Sequence, residues 1–108
     1  MSTRDAYVAI ADPTRREILG MLRDRGRLPA GAIASRFPSA SRPGISRHLR
    51  VLRECGVVRC EREGKTQNYS LEPRPLTEVR DRWLASFAPM QTASLKALRR
   101  QVERKRRD

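Results

Sequence analysis

The sequence predicts a small, mainly helical domain with one β-hairpin in its second half. Apolar residues recur at helical spacing in several stretches on either side of that hairpin. Between Gly56 and Leu71 the pattern changes to strand-like runs separated by a charged turn that contains Gly64. The chain has 108 residues, which is enough for one domain with a modest core. We therefore expect a single compact module.

Charge indicates the kind of partner. Lys and Arg number 24 against 12 Asp and Glu, so the formal net charge is +12. Such an excess favours a polyanion, because neutralised phosphates release counterions. An anionic membrane is a weaker alternative, since no basic helix carries a wide aromatic and leucine face. With no apolar run near the roughly 20 residues of a membrane span and no secretory leader, a cytoplasmic protein without a membrane partner is expected.

The first two helices are predicted from their ends. Residues 3–11 form a short helix that is too short to be stable alone. A second helix starts with Asp12 as its N-cap and Pro13 in its first turn, and it runs to Arg25 because Gly26 permits a left-handed conformation. The residues that it buries are Ile18, Leu19, Met21 and Leu22.

The next two helices form a helix-turn-helix. Residues 29–37 are predicted as a short helix that ends at Pro38 and directs Ile33, Ala34 and Phe37 inward. After a brief turn, Ser41 caps a longer helix over residues 42–54. Its apolar side holds Ile45, Leu49 and Leu52, and its other side holds Arg42, Ser46, Arg47, Arg50 and Arg53. A basic front of this kind suits a DNA groove, because Arg offers a bidentate fork to guanine. An ordinary solvated helix face is the alternative.

A hairpin follows the basic helix. Residues 57–62 and 66–71 are its strands, and Glu63, Gly64 and Lys65 form its turn. Such a wing would place Arg62 and Lys65 at a phosphate or in a minor groove beside the basic helix. The alternative is an exposed hairpin that is basic only because the whole chain is.

The C-terminal segment predicts a dimer. Leu76, Val79, Trp83 and Phe87 form an apolar stripe on a helix that starts near Pro75, and Pro89 must kink or interrupt it. Leu95, Leu98 and Val102 resume a stripe before a basic tail at residues 104–108. The small core cannot cover these stripes together with Tyr7 and Ile10, so a twofold mate is expected to bury them. A monomer whose terminal helices fold back on the core is the alternative.

The order of elements is that of a winged helix-turn-helix, and several strings resemble the ArsR/SmtB (arsenic-repressor-like) family of bacterial regulators. The resemblance is carried by residues 9–19, 37–52, 56–58, 62–65 and 69–71. The C-terminal third resembles the family only in being a helix with a Trp. The resemblance implies a homodimer, formed by the first and last helices, that binds an imperfect inverted repeat in double-stranded DNA and represses transcription.

The resemblance also implies which residues contact DNA. Base edges would be approached by Arg42, Pro43, Ser46 and Arg47. We assign the DNA backbone to Arg15, Arg16, Ser41, Arg50, Arg62 and Lys65. The dimer interface is expected to contain Tyr7, Ile10, Leu76, Val79, Trp83 and Phe87. We thus expect one domain over residues 1–108, with a DNA-binding core at 13–71, dimerisation helices at 3–11 and 75–103, and a tail at 104–108.

Metal sensing is not expected. Members of the family that sense metals carry a Cys motif before the recognition helix, or His and Asp ligands in the last helix. Residues 29–33 contain no thiol or imidazole, and the last helix has no His. Glu78 and Asp81 alone make a poor transition-metal site, because such ions prefer nitrogen and sulfur ligands.

The single histidine and the two cysteines are expected to have structural roles. His48 is expected to be packed or hydrogen-bonded at the edge of the core. Cys55 and Cys60 are expected to be inert thiols, with a thiol-redox repressor as the alternative. No grouped nucleophile, base and acid and no phosphate-binding Gly loop is found, so neither an enzyme nor a cofactor is expected.

The sequence therefore predicts a dimeric, metal-independent repressor. A nucleoid-like or RNA-binding protein that uses the charge without reading sequence is one alternative. A sensor with an unidentified small-molecule or protein effector near Trp83 and Phe87 is another. Operator sequence, target genes and the choice between repression and activation are not encoded in any motif.

Overall fold

The structure is a computed structural model that describes residues 5–107, with side chains described for residues 5–90 and 95–104. It divides into two compact units, one ending at Thr77 and the other beginning at Glu78. The elements, in chain order, are α1 (Ala6–Ile10), α2 (Pro13–Arg25), β1 (Leu28–Pro29), α3 (Ala30–Ala34), α4 (Arg42–Glu54), β2 (Val58–Glu63), β3 (Thr66–Leu71), α5 (Arg74–Ala85) and α6 (Ala88–Arg107).

Helix α1 is capped by Asp5. The carboxylate of Asp5 accepts hydrogen bonds from the backbone N–H groups of Tyr7 and Val8 at the start of α1, and the helix ends at Ile10 rather than at Ala11. It packs through Ala6 and Ala9, the smallest side chains on it, which allows close approach to the core. Residues 3 and 4 of the predicted helix lie outside the described residues.

The predicted bounds of α2 are confirmed at both ends. The carboxylate of Asp12 accepts from the backbone N–H of Arg15 at 3.0 Å, and Pro13 occupies the first turn. Gly26 ends the helix with φ of 77°, a conformation that side chains other than glycine rarely adopt. Ile18 and Leu22 are among the largest fully buried side chains of the molecule. Helix α2 is therefore the centre of the core.

The predicted hairpin is part of a three-stranded antiparallel sheet in the order β1-β3-β2. Strand β1 pairs Leu28 with Tyr69 and Pro29 with Asn68. Because Pro29 belongs to this strand, α3 starts at Ala30, and it ends at Ala34 rather than at Phe37. The backbone N–H of Ser35 still bonds four residues back, to Gly31, whereas those of Arg36 and Phe37 bond three residues back, as in a tight 3₁₀ turn.

We call the β2–β3 hairpin, residues 58–71, the wing. Its strands pair from Val58 with Leu71 to Glu63 with Thr66. The turn therefore consists of Gly64 and Lys65, and Glu63, predicted to lie in the turn, is the last residue of β2. Gly64 has φ of 61°, as the first central residue of a two-residue hairpin turn of the II′ type requires. This turn leaves Lys65 at the tip.

The unit that begins at Glu78 contains most of α5 and all of α6. Helix α5 ends at Ala85, and α6 starts at Ala88 with Pro89 in its first turn, so Pro89 follows a helix break rather than a kink. Phe87 lies in this break, which corrects its predicted place on the α5 helix. Helix α6 continues to Arg107, so the backbone of the predicted frayed tail is helical as far as the structure describes it.

Candidate nucleic-acid interface

The start of α4 is fixed by a cap. The Oγ of Ser41 accepts a hydrogen bond from the backbone N–H of Gly44 at 3.1 Å, as the sequence predicted for the cap residue. A Cβ atom added at Gly44 would lie 3.0 Å from that Oγ. Glycine therefore allows the cap to close without displacement of the serine, a role that the sequence analysis missed. Sequence position alone gives no signal for it, since the third residue after a cap offers its backbone N–H whatever its side chain.

The two predicted faces of α4 are confirmed. Ile45, Leu49 and Leu52 are buried, and Val51 is buried with them. We call the exposed set Arg42, Pro43, Ser46, Arg47 and Arg50 the recognition face. Four of its members, Pro43, Ser46, Arg47 and Arg50, line one open depression of about 380 Å³. The residues that sequence reasoning assigned to bases and to the adjacent phosphate are thus neighbours on one surface.

The arginines of the recognition face are exposed. Some exposed arginines elsewhere are paired with carboxylates, such as Arg23 with Asp24 at 2.7 Å and Arg59 with Glu72 at 2.6 Å. Among the residues that the structure describes, Arg42, Arg47 and Arg50 form no such ion pair. Their charge is not neutralised from within the protein. The guanidinium N–H groups of the face are therefore available to donate to an external acceptor such as guanine or phosphate.

The tip of the wing is a second basic surface. Lys65 is exposed at the tip, and the Nε of Arg62 donates to the carbonyl oxygen of Gly64 at 3.1 Å. The acid next to them, Glu63, is bound by Arg27 at 2.7 Å. This ion pair neutralises Glu63 and ties the wing to the segment after α2. The exposed charge that remains at the tip is positive.

The two arginines at the start of α2 bond to the backbone of α1. The Nε and Nη2 of Arg15 donate to the carbonyl oxygens of Ala9 and Val8 at 3.2 and 2.8 Å. The Nη1 of Arg16 donates to the carbonyl oxygen of Ile10 at 2.6 Å. These bonds satisfy carbonyl groups at the C-terminal end of α1. The carbonyl oxygen of Val8 also accepts from the backbone N–H of Ala11 at 3.3 Å. The predicted phosphate contact of Arg15 would compete with its internal bonds, whereas Arg16 remains exposed.

His48 lies at the edge of α4, half-buried and hydrogen-bonded as predicted. Its Nδ1 is 3.3 Å from the Nη1 of Arg15 and 3.9 Å from the Oδ2 of Asp12. Burial opposes ionisation of Asp12 most strongly. The hydrogen bond from the backbone N–H of Arg15, the charge of His48 when it is protonated, and the charge of Arg15 outweigh burial, so the pKa of Asp12 is lowered.

The thiols occupy the junction between α4 and the sheet. Cys55 is buried at the end of α4, and Cys60 is half-buried on β2 opposite Tyr69. Burial, followed by the interaction with Cys60, raises the pKa of the Tyr69 hydroxyl. Gly56, with φ of 75°, and Val57 close α4 by hydrogen bonds to the carbonyl groups of Arg53 and Leu52. Residues 5–90 and 95–104 contain no group of three or more metal-ligating side chains.

The predicted interface residues differ in exposure. Tyr7 is 43% exposed, Ile10 37%, Trp83 54% and Phe87 38%. The rings of Trp83 and Phe87 meet edge to face, with centroids 5.2 Å apart. Leu76 is half-buried, and Val79 is only 6% exposed. Val79 therefore has little exposed surface to offer a partner.

A helix-turn-helix whose second helix exposes unpaired arginines, followed by a basic wing, defines a winged helix-turn-helix DNA-binding protein. A family profile described as a helix-turn-helix domain matches residues 10–61. The chain is 39% identical over 83 residues to the transcriptional repressor SdpR of Bacillus subtilis, covering 77% of this chain and 89% of the relative. It is 41% identical over 76 residues to the HTH-type transcriptional regulator Rv2034 of Mycobacterium tuberculosis, covering 69% and 68% of the two chains.

A solved structure extends the likeness to the fold. The crystal structure of an ArsR family transcriptional regulator matches with a TM-score of 0.70 and 31% identity, covering 80% of this chain and 86% of that one. The chain belongs to the ArsR/SmtB family of winged helix-turn-helix proteins, and it is a DNA-binding transcriptional regulator. The relatives have a DNA-binding fold and regulate transcription rather than catalyse reactions. Within the described chain, no helix is long and apolar enough to cross a membrane.

Proposed function

We propose that this protein is a homodimeric repressor that reads an imperfect inverted repeat in double-stranded DNA and does so without sensing a metal. The observation that carries this proposal is the recognition face, with Arg42, Arg47 and Arg50 exposed and without carboxylate partners in the described chain. An arginine fork donates to guanine O6 and N7 in the major groove, which an α-helix fits. The relative named as a transcriptional repressor supports the direction of regulation.

The contacts are expected to divide by position. Arg42, Pro43, Ser46 and Arg47 occupy the first turns of α4, and N-terminal residues of a recognition helix are those that approach base edges. We assign phosphate contacts to Arg50, one turn later, to Ser41, and to Arg62 and Lys65 of the wing. Arg16 is a further phosphate candidate because its side chain is exposed. Arg15 is left out of this set because its guanidinium is used internally.

A second copy is proposed to cover the apolar side chains on α1, α5 and α6. The large exposed apolar residues are Tyr7, Ile10, Trp83, Leu84, Phe87, Met90, Leu95, Leu98 and Val102. Monomers seldom leave so many large apolar side chains in water. A twofold dimer buries the same surface of both copies, and it places two recognition faces on one duplex. The inverted repeat follows from this symmetry.

The absence of metal sensing is proposed from chemistry. Helix α3 is composed of Ala, Gly and Ile and offers no ligand. Helix α5 offers Glu78 and Asp81, both carboxylates, and borderline ions bind nitrogen and sulfur more tightly. Titration of the purified chain with zinc, cobalt or arsenite should leave operator binding unchanged. Tight metal binding that releases DNA would contradict this part of the proposal.

Selection from a random duplex pool tests the proposal as a whole. The purified chain should enrich an imperfect palindrome, and it should prefer that sequence to unrelated DNA by about 10³-fold or more. An enriched sequence without twofold symmetry would contradict the dimer. Uniform binding of all duplexes, with strong salt dependence, would instead identify a nucleoid-like protein. Repetition under peroxide tests the thiol-redox alternative, with Cys55 and Cys60 changed to Ser as the control.

A further inference from the structure

One side chain joins three helices of the DNA-binding unit. Arg15 belongs to α2, and its guanidinium donates to the carbonyl oxygens of Val8 and Ala9 on α1 at 2.8 and 3.2 Å. Its remaining nitrogen, Nη1, lies 3.3 Å from the Nδ1 of His48 on α4. All three guanidinium nitrogens of Arg15 therefore have partners, two on α1 and one on α4.

The geometry of this link is restrictive. A guanidinium is planar, so three simultaneous bonds fix its orientation as well as its position. The backbone of Arg15 is fixed at the start of α2, because its N–H donates to the carboxylate of Asp12 at 3.0 Å. The Oδ2 of Asp12 is also 3.9 Å from the Nδ1 of His48. Rotation of α4 relative to α1 would break the link to His48.

His48 is not itself a DNA-contacting residue in this arrangement. It is half-buried, with 26% of its side chain exposed, whereas Ser46 and Arg47 beside it are exposed. His48 therefore contacts Arg15, which links α4 to α1, and it does not lie on the recognition face. The neighbouring Arg16 bonds to α1 alone and reaches no residue of α4 among those described.

We propose that Arg15 and His48 are positioning residues, which lock the angle between α1 and the recognition helix and thereby set the half-site spacing that the dimer accepts. This inference rests on the proposed function, in which α1 contributes Tyr7 and Ile10 to the dimer. If α1 is held by the partner copy, the angle between α1 and α4 determines how far apart the two recognition helices lie. Half-site spacing mirrors that separation.

The test compares operators whose half-sites are moved together or apart by one base pair, together with a duplex that holds a single half-site. The wild type should lose about 10²-fold in affinity on the shifted operators, because the two copies can no longer engage together. His48→Leu keeps a side chain that can pack at the edge of the core, but it removes the Nδ1 acceptor of the Arg15 bond. The loss of affinity on the shifted operators should therefore fall to about tenfold or less. The affinity of this variant for the single half-site should stay within about twofold, since the recognition face is unchanged.

Two variants serve as controls. His48→Asn restores an acceptor oxygen near the Nδ1 position and should recover the wild-type spacing penalty. Arg23→Ala alters an exposed residue of α2 that is paired with Asp24 and takes no part in the Arg15–His48 link, so it should leave the penalty unchanged. Arg15→Ala removes bonds that hold α1 and is expected to impair folding, so the His48 variants carry the test.

The outcomes separate the inference from the proposed function. An unchanged spacing penalty in His48→Leu overturns the inference, as does an equal loss of affinity on every duplex, which would indicate a damaged recognition helix. Relaxation of the penalty by Arg23→Ala also overturns it, because a change outside the Arg15–His48 link would then set spacing. A wild-type chain with no spacing preference at all would instead contradict the dimeric operator complex on which the inference rests.

Discussion

The replacement Arg47→Ala isolates base reading from general charge. Arg47 is exposed on the recognition face, lines the depression with Ser46 and Arg50, and has no ion pair within the described residues. Its removal should therefore leave the core of α4 intact. A bidentate arginine contact contributes about 1–3 kcal/mol of discrimination against the wrong base. A dimer loses it twice, so operator preference should fall by about 2–6 kcal/mol, or roughly 30-fold to 10⁴-fold.

The assay measures affinity for the selected operator and for an unrelated duplex across a range of salt concentrations. Arg47→Ala should weaken operator binding and leave the unrelated duplex within about threefold. Lys65→Ala, at the wing tip, should weaken both duplexes alike and lower the slope of log affinity against log salt by about 0.9 per copy. Each variant removes one positive charge per copy. Arg47→Ala is predicted to lower operator preference, whereas Lys65→Ala is predicted to lower the affinity for all duplexes and its salt dependence.

Arg23→Ala is the matched control. Arg23 is exposed and paired with Asp24 at 2.7 Å, so its removal also changes the charge by one per copy without touching the recognition face. Its effect on operator preference should be less than about threefold, since exposed ion pairs contribute little. Retention of full operator preference by Arg47→Ala, or an equal loss in Arg23→Ala, would refute the assignment of base reading to α4.

Further predictions concern stability and assembly. Ser41→Ala removes the cap of α4 and should cost about 1 kcal/mol, lowering the melting temperature in calorimetry by about 4–8 °C. Gly56→Ala, at φ of 75°, should destabilise by a similar amount, whereas Gly20→Ala in the interior of α2 should stabilise by up to about 1 kcal/mol. The pKa of Asp12 is lowered from 3.8, so its ionised form stabilises the fold above that pH, and the advantage over Asp12→Asn should shrink as acid unfolding proceeds below it. Trp83→Arg should shift sedimentation towards the monomer, and an unaltered dimer would exclude α5 from the interface.

Helix ends with local signals were predictable. Asp12 and Ser41 cap α2 and α4, and Gly26 ends α2, because a cap depends on residues within one turn of it. The two faces of α4 followed from helical periodicity for the same reason. The recognition face was therefore accessible from sequence.

Features that depend on distant residues were not predictable. Strand β1 has two residues, and its partners Asn68 and Tyr69 lie about forty positions away, so no local pattern marks it. The direction of the Arg15 guanidinium, towards α1 rather than solvent, depends on where the carbonyl groups of Val8 and Ala9 end up. Helical periodicity predicts on which side of α2 the Arg15 side chain lies, but it does not predict which groups the guanidinium bonds.

The stripe on the last helices shows a different difficulty. Leu76, Val79, Trp83 and Phe87 have helical spacing, yet Val79 is buried and Phe87 lies outside α5. An apolar stripe indicates which residues are buried from water. The same helical spacing is found whether those residues pack in the chain's own core or against a partner. Only exposure in the folded chain separates the two.

Major-groove interference on the operator is the most direct test of base reading by α4. Guanines methylated at N7 and thymines lacking their methyl group would be introduced one position at a time, and the bound and free fractions compared. We predict that modifications in both half-sites block binding of the wild type, and that Arg47→Ala becomes insensitive to methylation at one guanine of each half-site. Operator binding that tolerates every major-groove modification would contradict it.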